Sequence, residues 1–180
     1  IGSRNKHNNN QTEPDSYQFD IDHEGHWGKN SDWLVRNMAS LLDQNVPDVA
    51  VIHIGTEDIL SGSGTLESLT DQIIDNIGKV IKSLRSKNSK VKIVLANIIP
   101  IQGEEDKINL LNLRISRFIN ANSTVRSPIV MADQHTGFVP SVDLTDKGRM
   151  PTAVGAKKMA RVFNDVLNEG NLLIHEKTIQ

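Results

Sequence analysis

The 180 residues contain no cysteine, which excludes disulfides, thiol catalysis and thiolate metal ligation. It leaves the compartment open, because a domain of this size needs no disulfide. Long hydrophobic runs are also missing: the longest, such as IVLANIIPI (93–101), fall far short of the roughly 20 residues that span a bilayer. There is no basic surplus either. Twenty Lys and Arg stand against 22 Asp and Glu, a formal net charge of −2, and no Lys/Arg run marks a nucleic-acid or membrane surface. The sequence opens Ile1-Gly2-Ser3 without a signal peptide, which says little about targeting. Asn10-Gln-Thr12 and Asn122-Ser-Thr124 fit the glycosylation pattern, a short one often matched by chance.

What is present is regular. The length suits one domain, expected over residues 1–170, with a C-terminal tail at 171–180 that can add a strand. Residues 5–20 are polar and Asn-rich and read as a surface loop. SDWLVRNMASLLDQ (31–44) puts Trp33, Leu34, Met38, Leu41 and Leu42 on one helical face, with Ser31 or Asp32 as N-cap. VAVIHI (49–54), KIVLANII (92–99) and PIVMADQ (128–134) are short apolar runs, as in strands buried on both faces. Helical spacing returns over 65–86, 105–121 and about 152–168, where Ala156, Met159, Ala160, Val162, Phe163 and Val166 supply the buried side. Strands alternating with amphipathic helices predict an α/β fold of three layers, α/β/α, around a parallel sheet.

In such sheets ligands gather beyond the carboxyl ends of the strands. Those ends read GTED (55–58), NIIPIQG (97–103) and ADQHTGF (132–138). Adjacent carboxylates at a strand end point different ways, so Glu57 and Asp58 do not read as an acid/base pair. Asp58 instead reads as the cap of the following turn, with Glu57 facing solvent. His135 follows Asp133 by two residues and is a candidate base oriented by it, although Ser61, Ser63 and Ser141 carry no nucleophile signature. His23, His26 and His53 show no recognisable metal spacing, and His53 reads as a hydrogen-bonded core residue. GSGT (62–65) lacks the Lys and strand context of a phosphate loop and reads as a linker. No metal and no cofactor are expected.

VIHIGTEDIL (51–60) resembles the strand-and-tip block of the SGNH (GDSL-type) hydrolases, which usually reads G-x-N-D. HEGHWGKNSDWL (23–34) resembles the stretch leading to the oxyanion-hole glycine in their carbohydrate-esterase branch, which deacetylates sugars. VMADQHTGF (130–138) resembles that branch's fourth strand block. DLTDKGRMPTAVGAKKMA (143–160) resembles its closing D-G-x-H-P-N block, and IGSR (1–4) the end of its second strand. The resemblance covers nearly the whole chain in order. It implies a flavodoxin-like SGNH fold, a cleft for acylated carbohydrate and an extracellular setting.

The catalytic set implied by that resemblance is not intact. The family's serine comes from a G-D-S block, and these residues contain none. Its base is the histidine before the proline of the closing block, where Met150 precedes Pro151. The aspartate before it aligns with Lys147, with Asp146 adjacent. Its oxyanion-donating asparagine aligns with Glu57. Gly28 alone keeps its role, a backbone N–H aimed at the oxyanion, and Trp27 beside it either stacks on a sugar ring or packs. A serine needs a base to become a nucleophile, and a thioether accepts no proton at useful pH. An ionised Glu57 would repel the oxyanion, where one donor is worth roughly 10²–10³ in rate.

The expectation is therefore an esterase-like binding domain without turnover. Two alternatives stay open: an active ester hydrolase using residues upstream of Ile1 or His135, and an interaction domain with an incidental cleft. The family's first strand has no counterpart, and its slot lies inside the sheet. Either upstream sequence, the tail NLLIHEKTIQ (171–180), a second copy or a partner chain would fill it.

Overall fold

The computed structural model describes residues 25–145, 148 and 150–169. The second-strand resemblance at 1–4, the polar loop at 5–20, His23, Asp146, Lys147 and the tail at 171–180 lie outside the described residues. Helix α1 (Ser31–Gln44) is followed by strand β1 (Val49–Ile52) and a short helix α2 (Thr56–Ser61). The long α3 (Leu66–Lys87) leads to β2 (Lys92–Ala96), and α4 (Glu105–Asn122) leads to β3 (Ile129–Ala132). A single turn, α5 (Pro140–Asp143), and α6 (Ala153–Glu169) complete the described chain.

The three strands are parallel in the order β1-β2-β3. Val51 lies opposite Val94, and Leu95 opposite Met131. Because side chains alternate along a strand, Ile52, Ile93, Leu95 and Ile129 face one side. There they meet Met38 and Leu42 of α1, Ile73, Ile77 and Val80 of α3, and Ile108, Leu111 and Ile115 of α4. Val94, Ala96 and Ala132 face the other side, against Val162, Phe163 and Val166 of α6. This is the three-layer α/β/α arrangement. Each fully buried aliphatic side chain contributes about 1.5–3 kcal/mol relative to exposure, and most of them lie on the α1/α3/α4 side.

Helix starts follow local chemistry. Asn30, rather than Ser31 or Asp32, caps α1: its side-chain oxygen accepts the Trp33 N–H at 3.0 Å. Thr65 caps α3 in the same way through the Ser68 N–H. Strand β1 departs from the expectation of burial on both faces. Val51 is 47% exposed, because β1 is the edge of the described sheet and α6 lies over β2 and β3. In α6, Ala156 and Ala160 are exposed, while Met159, Val162, Phe163 and Val166 are half-buried.

His53, just past β1, stands edge-on to Phe163 at 6.2 Å. The residue is half-buried, yet its Nε2 is sealed from solvent and has no partner among the described residues. The expected hydrogen bond is therefore not made by Nε2 among the described residues. Burial pushes its pKa down from 6.5 to about 4. The folded state thus holds His53 neutral where the unfolded chain binds a proton, so stability falls as pH drops from about 6.5 to about 4 and the loss levels off below. A shift of that size corresponds to about 3 kcal/mol. In His53→Gln this component of acid destabilisation should be absent, so the wild-type minus variant difference in unfolding free energy should shrink or reverse between pH 7 and pH 4. Parallel urea titrations at the two pH values measure it.

Candidate functional site

The strand tips are shaped by one sharp turn. Gly55 leaves β1 with φ +122°, a region that favours glycine, and is buried. A Cβ there would press on Leu111, Ile73 and Ile98 at 3.2–3.5 Å. The turn starts α2 at once, so Glu57 and Asp58 lie in a helix's first turn, where carboxylates complement the dipole. Six residues are too short to display a helical period, so α2 has no signature in the sequence.

Asp58 does not cap its own turn. Its buried carboxylate reaches back to α1, accepting the Ser31 N–H at 2.9 and 3.1 Å and the Ser31 hydroxyl at 2.6 Å. It thereby satisfies an orphan donor at the start of α1. Asn76 of α3 completes the cluster, donating to Ser31 Oγ at 3.0 Å and to Asp32 Oδ1 at 2.7 Å. Trp27 and Gly28 sit immediately before α1, so this cluster anchors the loop that carries them. Gly28 has φ +66° with open space where a Cβ would be, and Trp27 is 72% exposed. His26 packs its ring on Trp33, with centroids 4.5 Å apart.

A second polar cluster lies beyond β2 and β3. Asn97 Oδ1 accepts the backbone N–H groups of Gln134 (2.7 Å) and His135 (3.1 Å), while its amide donates to Asp133 at 2.8 Å. Asp133 also accepts from the N–H groups of His135 and Thr136. Partial burial pushes the Asp133 carboxyl up, but these bonds from Thr136, Asn97 and His135 outweigh it and hold the carboxyl below its usual value. Asp133 thus shapes the His135 backbone. The imidazole is held elsewhere: its Nδ1 is 3.1 Å from both the Asn112 amide and the Ile98 carbonyl. Asn112 in turn clamps the Ile98 peptide from both sides, at 2.7 and 2.9 Å. Asn112 was not singled out in the sequence, since an Asn within a helix carries no local signal.

The closing loop is tied down through its backbone. The Met150 carbonyl accepts the Thr145 N–H at 2.8 Å, and Leu144 bridges Pro151. The Met150 side chain is exposed. Beneath, the enclosed Asp143 accepts from Lys158 Nζ and from the Val139 N–H, both at 2.7 Å, and these bonds hold its carboxyl below the usual value. A Cβ on Gly155 would collide with the Asp143 carbonyl, so α6 packs on this loop through glycine. A cavity of about 200 Å³ alongside is lined by Gln102, Ser141, Leu144 and Thr145. Among the described residues, no three His, Asp or Glu side chains gather as for a metal ion, and no helix is long and apolar enough to cross a membrane.

No protein-family model matches the chain. It superposes on a carbohydrate esterase family 3 structure from Talaromyces cellulolyticus with a TM-score of 0.86 and 28% identity, over 97% of this chain and 83% of that one. An acetyl esterase serine-to-alanine mutant solved with an acetate ion gives 0.83 and 29%, over 94% and 80%. The chain has the SGNH hydrolase fold. Among curated proteins it is 26% identical over 143 residues to a platelet-activating factor acetylhydrolase IB subunit beta homolog of Drosophila melanogaster, covering 76% of this chain. The chain spans 59% of that relative's length. The likeness to esterases and acylhydrolases read from the sequence is thus met in both sequence and structure.

Asp58 makes the Ser31 cluster testable. Asp58→Ala leaves two buried Ser31 donors unpaired and should cost about 3 kcal/mol. Asp58→Asn, which still accepts, should recover part of that loss. Chemical denaturation of the three chains decides it: equal midpoints would mean that the cluster adds nothing.

Proposed function

We propose that this chain is an SGNH esterase-like domain that binds acylated carbohydrate in the cleft beyond its strand ends without hydrolysing it. One observation carries the reading. The loop at the family's base position is held in place by Thr145, Leu144 and Pro151, yet presents the thioether of Met150. The scaffold around the cleft persists while its proton acceptor is replaced. Glu57 at the oxyanion position adds a negative charge where a donor is needed. Gly28 keeps its backbone N–H in the loop anchored by Asp58, and the exposed ring of Trp27 offers a face to a sugar.

A second reading rests on His135. In the tautomer that donates Nδ1–H to the Ile98 carbonyl, Nε2 keeps its lone pair and the ring is oriented as a base requires. The Asn112 amide favours the opposite tautomer, with Nδ1 accepting. Such a base would serve an ester hydrolase whose nucleophile is not among the described residues.

Acetate release from a panel of acetylated sugars separates the two, at a protein concentration that detects an enzyme impaired by about 10⁴-fold. Binding without release above a heat-inactivated control is expected, and Trp27→Ala and Glu57→Ala should each weaken that binding at least about tenfold, or about 1.4 kcal/mol. Saturable turnover that vanishes in His135→Ala would replace the first reading with the second.

A further inference from the structure

The cavity of about 200 Å³ lies between the turn after β2 and the closing loop. Gln102 forms one wall. Pro140 and Ser141 of α5, Leu144 at its C-cap, and Thr145 and Gly148 of the closing loop form the other. The backbone of both walls is committed. The Leu144 N–H donates to the Pro140 carbonyl at 3.1 Å, the Thr145 N–H to the Met150 carbonyl at 2.8 Å and the Gly148 N–H to the Thr145 carbonyl at 2.6 Å. On the Gln102 side, the Glu104 N–H reaches the Ile101 carbonyl at 3.1 Å and the Gly103 N–H reaches the Glu105 carboxylate at 3.0 Å. Asp143, held by Lys158 and the Val139 N–H, fixes α5 from beneath.

The side chains are not committed. The Gln102 amide and the hydroxyls of Ser141 and Thr145 have no hydrogen-bond partner among the described residues, and all three residues are exposed. Hydroxyls in other turns of this chain behave differently: Thr124, Ser127 and Thr152 spend theirs on backbone carbonyls. Three neutral polar groups thus converge on one space. A carboxamide offers two donors and an acceptor, and each hydroxyl offers one donor and two lone pairs. That set matches atoms that both donate and accept, as sugar hydroxyls do. Among the described residues no charged side chain lines the cavity. Pro140 and Leu144 add apolar surface for the C–H bonds of a ring. The volume is several times the share of one water, about 30 Å³, and stays below the roughly 300 Å³ at which pockets for drug-sized ligands begin. One ring suits it.

We infer that this cavity is a subsite for one hydroxylated sugar ring, hydrogen-bonded by Gln102, Ser141 and Thr145. The inference rests on the reading that the cleft binds acylated carbohydrate, and it adds where the carbohydrate part is held. Trp27 lies in the loop before α1, so its contact with a sugar and this one are altered independently.

Equilibrium binding of two matched probes tests it. One is a mono-O-acetylated methyl xyloside, which keeps free ring hydroxyls; the other is cyclohexyl acetate, which has an ester and a ring without them. Gln102→Ala and Thr145→Val should each weaken xyloside binding about tenfold, the scale of one lost hydrogen bond. Cyclohexyl acetate should bind the wild type more weakly and lose nothing further in either variant. Ser141→Trp fills the cavity and should abolish xyloside binding. Unfolding midpoints should match the wild type, since no internal hydrogen bond is removed, and the two smaller changes decide should Ser141→Trp not fold. Xyloside binding that survives these changes would overturn the subsite and leave the acylated-carbohydrate reading standing. Equal losses for both probes would overturn it too. A wild type that binds no xyloside would remove the subsite and that reading together.

Discussion

The grip of one carboxylate on a neighbouring helix organises this domain. Asp58 stands in the first turn of α2, yet its oxygens serve the start of α1, where Ser31 donates both its backbone N–H and its hydroxyl. Ser31 and Asp58 are both buried, so the charge is stable only because the donors are in place. Asn76 draws α3 into the same contact. Three helices and the tip of β1 are thereby registered at one point. The loop bearing Trp27 and Gly28 takes its position from it. Gly55 makes this possible, since a side chain at that turn would be strained at φ +122° and would crowd Leu111.

A second set of polar ties does for the other strand ends what Asp58 does for β1. Asn97 and Asp133 satisfy the backbone groups released where β2 and β3 stop. Asn112 holds the Ile98 peptide and the His135 ring together. Buried backbone groups must find partners, and here side chains from strand ends and a helix supply them. These ties fix the backbone beyond β2 and β3.

Among the described residues the two faces of the sheet are covered unequally. Helices α1, α3 and α4 make one continuous core, whereas α6 lies over β2 and β3 on the other face. Within that described part, the exposure of Val51 and the unpartnered Nε2 of His53 accompany the asymmetry.

The sequence by itself determined the element types and the fold class. Apolar runs of strand length and helical spacing in between are local patterns, and burial demands them wherever a sheet is covered by helices. The likeness to SGNH hydrolases was legible in short contiguous blocks such as VIHIGTEDIL and VMADQHTGF. Tertiary structure alone decided the roles of particular polar side chains. Asp58 looked like the cap of its own turn and serves a helix 27 positions away. Asp133 looked like the partner of the His135 ring and binds its backbone, while Asn112 took the ring. Short α2 and α5 left no periodicity to read. Val51 reads as buried in the sequence, and the order of the described strands places β1 at their edge. Hydrophobic burial is written in spacing, which a linear sequence displays; a hydrogen-bond partner is set by distance and direction in three dimensions, which it does not.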